Sequence, residues 1–504
     1  MMSIVLLSLV PEFFLSLSIL MFLITNVYIV NSLKLNFPIL KKELFSQVFL
    51  ILLFASFLFF FVKVEGSCSN SLFFLDSSSI NLKLFWMFFC TFSFVLIWRS
   101  FLIQQLNFFE FFVLFLLSVL SSLLLLSSSD LLIIYLIIEL QSICFYSLAS
   151  FKRGSSYSSE AGLKYFISSA LMSCIFLFGC SMIYGALGTL NFNAVSLLLS
   201  FPLVNSSLYL QNYIVIGSLL IVIFFLFKLS IAPFHFWFPQ VYDGSPLSST
   251  IIFSLLPKFI LFSLLVKWLV TISSVSIILQ PFLLGFGVFS SLFGIFLALR
   301  QKKLKKLFIY SSIGQLGLPL CSLSLMNLNS VVYSYFFFLI YMLTSVLLWS
   351  SFLFLYSSQK RSSKVTSTVL YVSSLSNLFY FNKIWAFSIL IIFFSMCGVP
   401  PLSGFIAKFW IYVSLIESNY FLVAVFLILL GGFSAFYYLK VLKVSFFENK
   451  ALVVVRGENN SLFKTTYFNL DCFINALFLF LLCFLTFYPD FLFFYLNTVV
   501  SVFL

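Results

Sequence analysis

The sequence predicts an all-α integral membrane protein of about 14 transmembrane helices, and three observations carry that prediction. The first is composition. Of 504 residues, 62% are hydrophobic, 21% aromatic and only 8% charged, with a mean hydropathy of +1.18. Soluble domains are roughly half apolar and a quarter charged, so the solvent for this chain is a bilayer. The second is segmentation, because the apolar stretches break at polar clusters into runs near the roughly 20 residues that span hydrocarbon. The third is charge, because the basic residues sort by the parity of the segments they follow.

The segments lie at about 4–31, 46–63, 81–101, 108–127, 130–150, 162–186, 211–237, 246–271, 277–299, 305–325, 330–357, 386–413, 420–447 and 470–495. Segments 4 and 5 are divided only by "SSSD". The opening stretch "MMSIVLLSLVPEFFLSLSIL" has no basic flank and no small-residue cleavage site, so it reads as a retained membrane segment. After odd-numbered segments, or at their ends, stand Lys34, Lys41, Lys42, Arg99, Lys152, Arg153, Lys164, the run Arg300 to Lys306, Lys360, Arg361, Lys364, Lys383 and the five cations from Lys440 to Lys464. These are 21 of the 27 basic residues. After even-numbered segments there are three, Lys63, Lys83 and Lys267. Positive charge marks the non-translocated side, so both termini are expected on the positive-poor face. The net charge of +13 is then a topology signal with some anionic-lipid contact, and it implies no nucleic acid partner.

Three basic residues, Lys228, Lys258 and Lys408, fall well inside predicted helices, and Glu139 sits near the middle of "DLLIIYLIIELQSICFYSLA". A charge at the bilayer centre costs about 2.5–3.5 kcal/mol on insertion scales. Such residues face a bundle interior or a wet cavity and mark transport paths; the plainer reading is ion pairs that lock helices together. Two of the lysines stand beside prolines. Pro233 follows Lys228 in "FLFKLSIAPFHFWFPQ", which also holds the only histidine, His235. Pro400 and Pro401 precede Lys408 in "SMCGVPPLSGFIAKFW". Proline cannot donate its backbone bond, and Pro233 is expected to free the carbonyl of Leu229. Paired interrupted helices in two halves of a transporter point to an ion path and an inverted repeat.

The sequence also excludes chemistry. The nine cysteines are scattered, without a C-x-x-C pair, so neither a zinc or iron–sulfur site nor a disulfide framework is expected. No dinucleotide or phosphate-loop pattern occurs. This chain is expected to hold no cofactor. The 75 Phe residues hint at a T-rich, organellar coding genome.

The run "DLLIIYLIIELQSICFYSLASFKRGSSYSSEAGLKYFISSALMSCIFLFGCSMIYGALG", with "FKLSIAPFHFWFPQVYDGSP", "LPKFILF", "LKKLFIYSSIGQLG" and "GVPPLSGFIAKFW", resembles the subunit 2 family of proton-pumping NADH:ubiquinone oxidoreductase, respiratory complex I. The similarity runs in order from about residue 130 to 447, and the outer segments agree only in hydropathy. The resemblance implies a 14-helix antiporter-like fold in which helices 4–8 and 9–13 form two inverted five-helix repeats, with broken helices 7 and 12. It implies helices 1–3 at 1–107, a first half at 108–271, a second half at 272–447 and a C-terminal loop and helix at 448–504. By it, Glu139 matches the helix-5 glutamate, Lys228 the helix-7 lysine, Lys258 the helix-8 lysine and Lys408 the helix-12 lysine of the family's charged axis. His235 matches the histidine of the helix-7 motif, and Glu160 a helix-6 acid. One departure stands out. The mitochondrial pattern has a histidine where Gln315 stands, and chloroplast relatives carry Gln there. Gln315 can hold a water chain by hydrogen bonds but cannot titrate. The run at 139–141 and "FGCSMIYG" look mitochondrial.

The resemblance therefore implies a proton-translocating, non-redox membrane-arm subunit of the mitochondrial inner membrane. FMN, iron–sulfur clusters and ubiquinone would act elsewhere in the complex. Its partners would be the neighbouring antiporter-like subunits and lipids such as cardiolipin. Burial disfavours a charged lysine and a nearby carboxylate restores it, so opening a Glu139–Lys228 pair would release a proton and closing it would recharge the lysine. Lys258 would be the central relay, Lys408 the terminal site of the second half, and His235 and Gln315 possible relays. The competing readings are a cation/proton antiporter of the multisubunit sodium type, which shares the fold, and a structural scaffold with vestigial charges.

Overall fold

In hydrocarbon a backbone amide finds no water, so an apolar run must satisfy its hydrogen bonds within itself, as an α-helix does. The computed structural model describes residues 9–32, 41–62, 68–69, 73–104, 106, 108–152, 154–200, 208–362, 370–376, 378–448 and 470–500. Their helices follow the predicted segments in order. They are α1 (Val10–Ser32), α2 (Lys41–Phe61), α3 (Ser77–Gln104), α4 (Glu110–Ser127), α5 (Leu131–Ala149), α6 (Ser156–Leu187), the short α7 (Phe192–Ser200), α8 (Leu208–Lys228), the short α9 (Trp237–Gly244), α10 (Leu247–Thr271), α11 (Ser273–Leu299), α12 (Leu304–Leu323), α13 (Leu328–Ser362), the single turn α14 (Leu378–Phe381), α15 (Lys383–Cys397), α16 (Ser403–Glu417), α17 (Phe421–Phe446), α18 (Leu470–Phe487) and α19 (Asp490–Val500). A two-stranded hairpin, Cys68–Ser69 with Phe74–Leu75, precedes α3.

Eleven of these helices are by themselves long and apolar enough to cross a membrane. The predicted fourteen are completed by α12, whose hydropathy Lys305, Lys306 and Gln315 dilute, by α15 with α16, and by α18 with α19. The last pair departs from the straight segment expected at 470–495, because the chain turns through 88° between Phe487 and Asp490, where Pro489 cannot continue the α18 ladder. Segment 7, expected at 211–237 as a broken helix, is broken. It stops at Lys228 and resumes as α9 at Trp237.

The chain divides into two compact units. One comprises Met1–Ser230, Phe236–Pro281 and Asn497–Leu504, and the other Ile231–His235 and Phe282–Leu496. The first is built around α10, 94% buried over its spanning window, and the second around α13, also 94%. The outer helices α1 and α2 keep only 28% and 33% of theirs inside, leaving Leu17, Met21 and Phe61 exposed. The antiporter-like halves expected at 108–271 and 272–447 concern repeat symmetry, which compactness does not measure. Of the cations used to read topology, Lys34, Lys63, Arg153, Lys364, Lys450, Arg456 and Lys464 lie outside the described residues. Lys83 and Lys267, read above as ordinary charges at segment ends, are instead buried, at 0% and 9% exposure.

In the first unit α6 and α8 touch through glycine. A Cβ on Gly179 would stand 2.9 Å from the Gly217 carbonyl oxygen, and one on Gly217 would stand 3.0 Å from that of Gly179. Gly185, on the same helix, has nothing within 4 Å of its would-be Cβ. Gly179→Val is therefore expected to cost about 1–3 kcal/mol by overpacking. Gly185→Ala should be neutral or slightly stabilising, since helical Ala is preferred to Gly by up to about 1 kcal/mol. Thermal unfolding of the two variants in detergent checks the contrast.

Candidate proton-handling sites

The first unit brings Lys228 and Lys258 to one cavity, also lined by Gln141, Ser142, Tyr165 and Tyr242. Lys228 ends α8, so its ammonium stands in the last turn of a helix whose final carbonyls lack intrahelical partners. That negative dipole end favours a cation. Its Nζ lies 5.8 Å from the Tyr165 ring centroid and 5.7 Å from that of Phe224, both within cation–π range. The chain after Lys228 turns sharply, with Ser230 in the left-handed region at φ 61°.

The break reassigns the carbonyl bonds expected from the proline alone. The Leu229 carbonyl accepts from the Ser230 hydroxyl at 2.5 Å, and the Phe227 carbonyl from the Trp237 indole at 3.1 Å. Backbone amides close it too, with Ser230 N–H donating to the Phe227 carbonyl at 2.9 Å and Leu229 N–H to that of Phe225 at 2.9 Å, so the interruption is satisfied from within the protein, as irregular backbone at membrane depth requires. The same Trp237 stacks on Tyr165, ring centroids 4.9 Å apart, so the first turn of α9 braces the cavity wall.

Lys258 follows Pro257 within α10 and is 2% exposed. Its Nζ sits 4.9 Å from the Phe238 ring centroid. Glu139, on α5, is half-buried. Its Oε2 accepts from the Ser142 hydroxyl at 3.1 Å, while Oε1 is buried without a hydrogen-bond partner. Glu139 acts electrostatically on Lys228. Among the described residues, however, the recorded ion pairs within 4.0 Å do not include this one. The expected pair is open: the acid and the base address each other at longer range, one turn of α5 away from the cavity wall at Ser142.

The second unit holds Lys408 and Gln315. Lys408, on α16, reaches back to the C-terminus of α15, where its Nζ donates to the carbonyls of Met396 at 2.7 Å and Cys397 at 3.0 Å. Gln315, on α12, donates from Nε2 to the same Met396 carbonyl at 3.2 Å and lies 3.5 Å from the Tyr438 hydroxyl. The break between α15 and α16 holds Pro400 and Pro401 and begins at Gly398, φ 81°, the left-handed C′ position at which helices commonly stop. Lys408 and Gln315 line two cavities of this unit. One also contains Ser291, Tyr412 and Tyr437, the other Tyr341, Thr344 and Ser395. His235 is buried at 4% exposure, its ring 6.2 Å from Phe293 of α11. It groups with the second unit and does not line the cavity of Lys228 and Lys258.

Sequence reasoning missed Tyr165, Trp237 and Tyr438, because an aromatic in a chain with 75 Phe residues carries no signal of its own. Glu160 pairs with Lys164 at 2.6 Å on an exposed turn of α6, apart from both sites.

The sequence profile described as NADH:quinone oxidoreductase/Mrp antiporter, TM, matches residues 128–434. The chain is 35% identical over 444 residues to NADH-quinone oxidoreductase subunit N of Pelagibacter ubique, covering 87% of this chain and 89% of that one. It is 33% identical over 447 residues to NADH-ubiquinone oxidoreductase chain 2 of Marchantia polymorpha, covering 88% and 89%. In fold it is similar to a chain of respiratory complex I from Thermus thermophilus, with a TM-score of 0.74, 22% identity and coverage of 96% and 98%. It is similar also to a chain of the Mrp complex from Dietzia, with a TM-score of 0.78, 16% identity and coverage of 98% and 97%.

The Lys408 geometry depends on Gly398. A Cβ there would meet Lys408 Cδ at 3.0 Å and Nζ at 3.4 Å, and left-handed backbone costs an L-residue about 1–2 kcal/mol. Gly398→Ala is expected to destabilise the fold by at least that amount, read as a lower unfolding midpoint. Gly431→Ala, where the nearest atom is a Tyr412 hydroxyl 3.5 Å away, should not.

Proposed function

The chain belongs to the NADH:quinone oxidoreductase/Mrp antiporter family of membrane subunits, and on that premise we propose that it translocates protons as a non-redox membrane-arm subunit of respiratory complex I. It would couple NADH oxidation by ubiquinone to proton transport. The observation that carries this reading is the cavity shared by Lys228 and Lys258, with Glu139 in electrostatic reach but unpaired. A buried cation beside aromatic faces, with a carboxylate acting on it from a distance, can give up its proton far more readily than one held in a closed salt bridge.

The mechanism follows from the geometry. When Glu139 closes on Lys228, the carboxylate holds the ammonium in its charged form. When it withdraws, Lys228 passes its proton towards Lys258 across the shared cavity, through water that Gln141, Ser142, Tyr165 and Tyr242 can bind. In the second unit Lys408 is the terminal site. Its ammonium is held by the Met396 and Cys397 carbonyls, and Gln315 shares the Met396 carbonyl. A proton leaving Lys408 leaves an amine with two N–H donors, enough for those carbonyls, and a lone pair that can accept from water in either adjoining cavity. Gln315 supplies a non-titrating hydrogen-bond station, and His235 is a secondary relay. Moving one charge against the membrane potential costs about 2.3 kcal/mol per 100 mV, and quinone reduction in other subunits of the complex supplies it. FMN and iron–sulfur clusters belong to those subunits. We place the chain in the mitochondrial inner membrane, with Lys303 and Arg361 on the matrix side and both termini towards the intermembrane space. Its neighbours there would be other antiporter-like subunits and lipids such as cardiolipin. The 33% identity to a chain 2 protein of a plant supports the organelle, and the basic-residue asymmetry supports the orientation.

The profile also spans Mrp antiporters, so cation/proton antiport is the second reading. It requires sodium-dependent transport, whereas proton pumping does not.

The test is Lys228→Arg in the complex reconstituted into vesicles. Guanidinium keeps the charge but does not deprotonate at accessible pH. Coupled turnover and the proton-to-electron ratio should fall with Lys228→Arg as with Lys228→Ala, while NADH oxidation by an artificial acceptor stays near normal. A scaffold role predicts the reverse, and an unchanged ratio in Lys228→Arg would refute the switch.

A further inference from the structure

Two residues after Glu139 on α5 stands Gln141. It is 3% exposed, and its Nε2 is buried without a hydrogen-bond partner. Ile138, Gln141, Ser142 and Phe145 are the α5 residues that line the cavity of Lys228 and Lys258. Their spacing of i, i+3, i+4 and i+7 puts them on one face of the helix, and Leu140 and Ile143 belong to its exposed side. Of the four, Ile138 and Phe145 carry no polar atom in their side chains. The Ser142 hydroxyl already donates to the Glu139 carbonyl and to Oε2 of the same residue. Gln141 is therefore the α5 side chain with hydrogens left to donate into the cavity.

The side chains around it give that donor little to meet. Phe253 of α10 packs its ring 5.3 Å from that of Phe145 and 5.8 Å from that of Tyr242, which lies 4.0 Å from Phe238, so much of the lining is aromatic carbon. An ammonium is a donor without a lone pair, and neither Lys228 nor Lys258 can accept from Gln141 while it is charged. A buried N–H without an acceptor costs free energy that an apolar side chain of the same shape avoids. A residue that merely filled this wall would do so better as Met. A lysine that has released its proton is different, because its nitrogen gains a lone pair. The hydroxyls of Tyr165 and Tyr242 can donate or accept and so serve either charge state, whereas the Nε2 hydrogens of Gln141 suit the neutral amine.

We propose that Gln141 is a positioning residue for proton transfer between Lys228 and Lys258, its Nε2 donating to the lone pair of whichever lysine is neutral, directly or through one water of the cavity they share. The inference rests on the proton-translocating reading above. It adds a group that holds the deprotonated state, where Glu139 holds the protonated one. The Lys228 ammonium gives up one proton, and the Lys258 amine takes it. The hydrogen bond from Gln141 passes from the Lys258 nitrogen to that of Lys228, and Gln141 itself neither gains nor loses a proton. Two N–H donors on a soft terminal torsion let one carboxamide serve both nitrogens.

The experiment uses the complex reconstituted into vesicles. Gln141→Met keeps the length of the side chain and removes the amide. It is expected to assemble with an unfolding midpoint at or above that of the parent, since an unpartnered buried N–H is gone. Its coupled turnover nevertheless falls about tenfold, equivalent to about 1.4 kcal/mol, while NADH oxidation by an artificial acceptor persists. In nitrogen-15 spectra of lysine Nζ the neutral-amine signal of Lys228 and Lys258 weakens, a change that a packing role does not produce. Gln141→Glu keeps an accepting oxygen at the same reach but loses the donor, and it should be impaired at least as far. Full pumping in Gln141→Met or in Gln141→Glu, or an unchanged amine signal, overturns the inference. If Lys228→Arg is defective beside it, the first reading stands; normal pumping in Lys228→Arg as well overturns both. Should Gln141→Met fail to assemble, Gln141→Glu decides. Assembly with a tenfold loss of turnover then supports the inference, whereas assembly with full pumping, or failure to assemble, makes Gln141 a packing residue and overturns it.

Discussion

An ammonium group in hydrocarbon must find oxygen or an aromatic face, and this chain supplies both at helix ends. Breaking a membrane helix exposes carbonyls that no intrahelical amide reaches, and the same carbonyls are the acceptors a buried lysine lacks. Lys228 stands on the last turn of its own interrupted helix. Lys408 reaches across its interruption to the carbonyls of Met396 and Cys397, the last two residues of α15. At Lys408 the break and the cation therefore stabilise each other, and much of the surrounding architecture serves such a match. Trp237 closes the Phe227 carbonyl, Gly398 makes room for the Lys408 stem, and Gln315 shares the Met396 oxygen.

Carbonyl dipoles and aromatic faces hold an ammonium without neutralising it, so its charge stays conditional on what else approaches. A closed buried salt bridge would fix both charges and make their separation expensive. In the first unit the carboxylate of Glu139 is near enough to act on Lys228 but is not in contact, its Oε2 occupied by Ser142. Elsewhere in the same unit Glu12 of α1 and Lys83 of α3 show the opposite arrangement, in direct contact.

Much of this was readable from sequence, for physical reasons. Hydrophobic length and the parity of positive charge depend on bilayer thickness and insertion, which act on every segment alike, so the order of the spans and the interruptions at Pro233 and Pro400–Pro401 emerged directly. Lys228, Lys258 and Lys408 stood out because an uncompensated cation in an apolar run has few explanations. The extent of the break after Lys228 did not emerge, since it depends on Ser230 in a left-handed turn and on an indole ten residues away from the carbonyl it satisfies. Nor did the burial of Lys83 and Lys267. Both stand within about two turns of a helix end, where sequence cannot tell a snorkelling side chain from one turned towards a partner such as Glu12, 71 residues distant. The role of Gln315 was only half visible. Its inability to titrate follows from its chemistry, but its partner is a backbone carbonyl 81 residues away.

The central claim is that lysines inside the bilayer change charge during turnover. Nitrogen-15 NMR of lysine Nζ, in the complex held in lipid nanodiscs and assigned by single Lys→Arg exchanges, reads that charge directly. The account predicts a neutral-amine signal from at least one of Lys228, Lys258 and Lys408 that grows or shrinks when NADH and quinone are supplied. Ammonium signals from all three, unchanged between the resting and the turning-over enzyme, would contradict it.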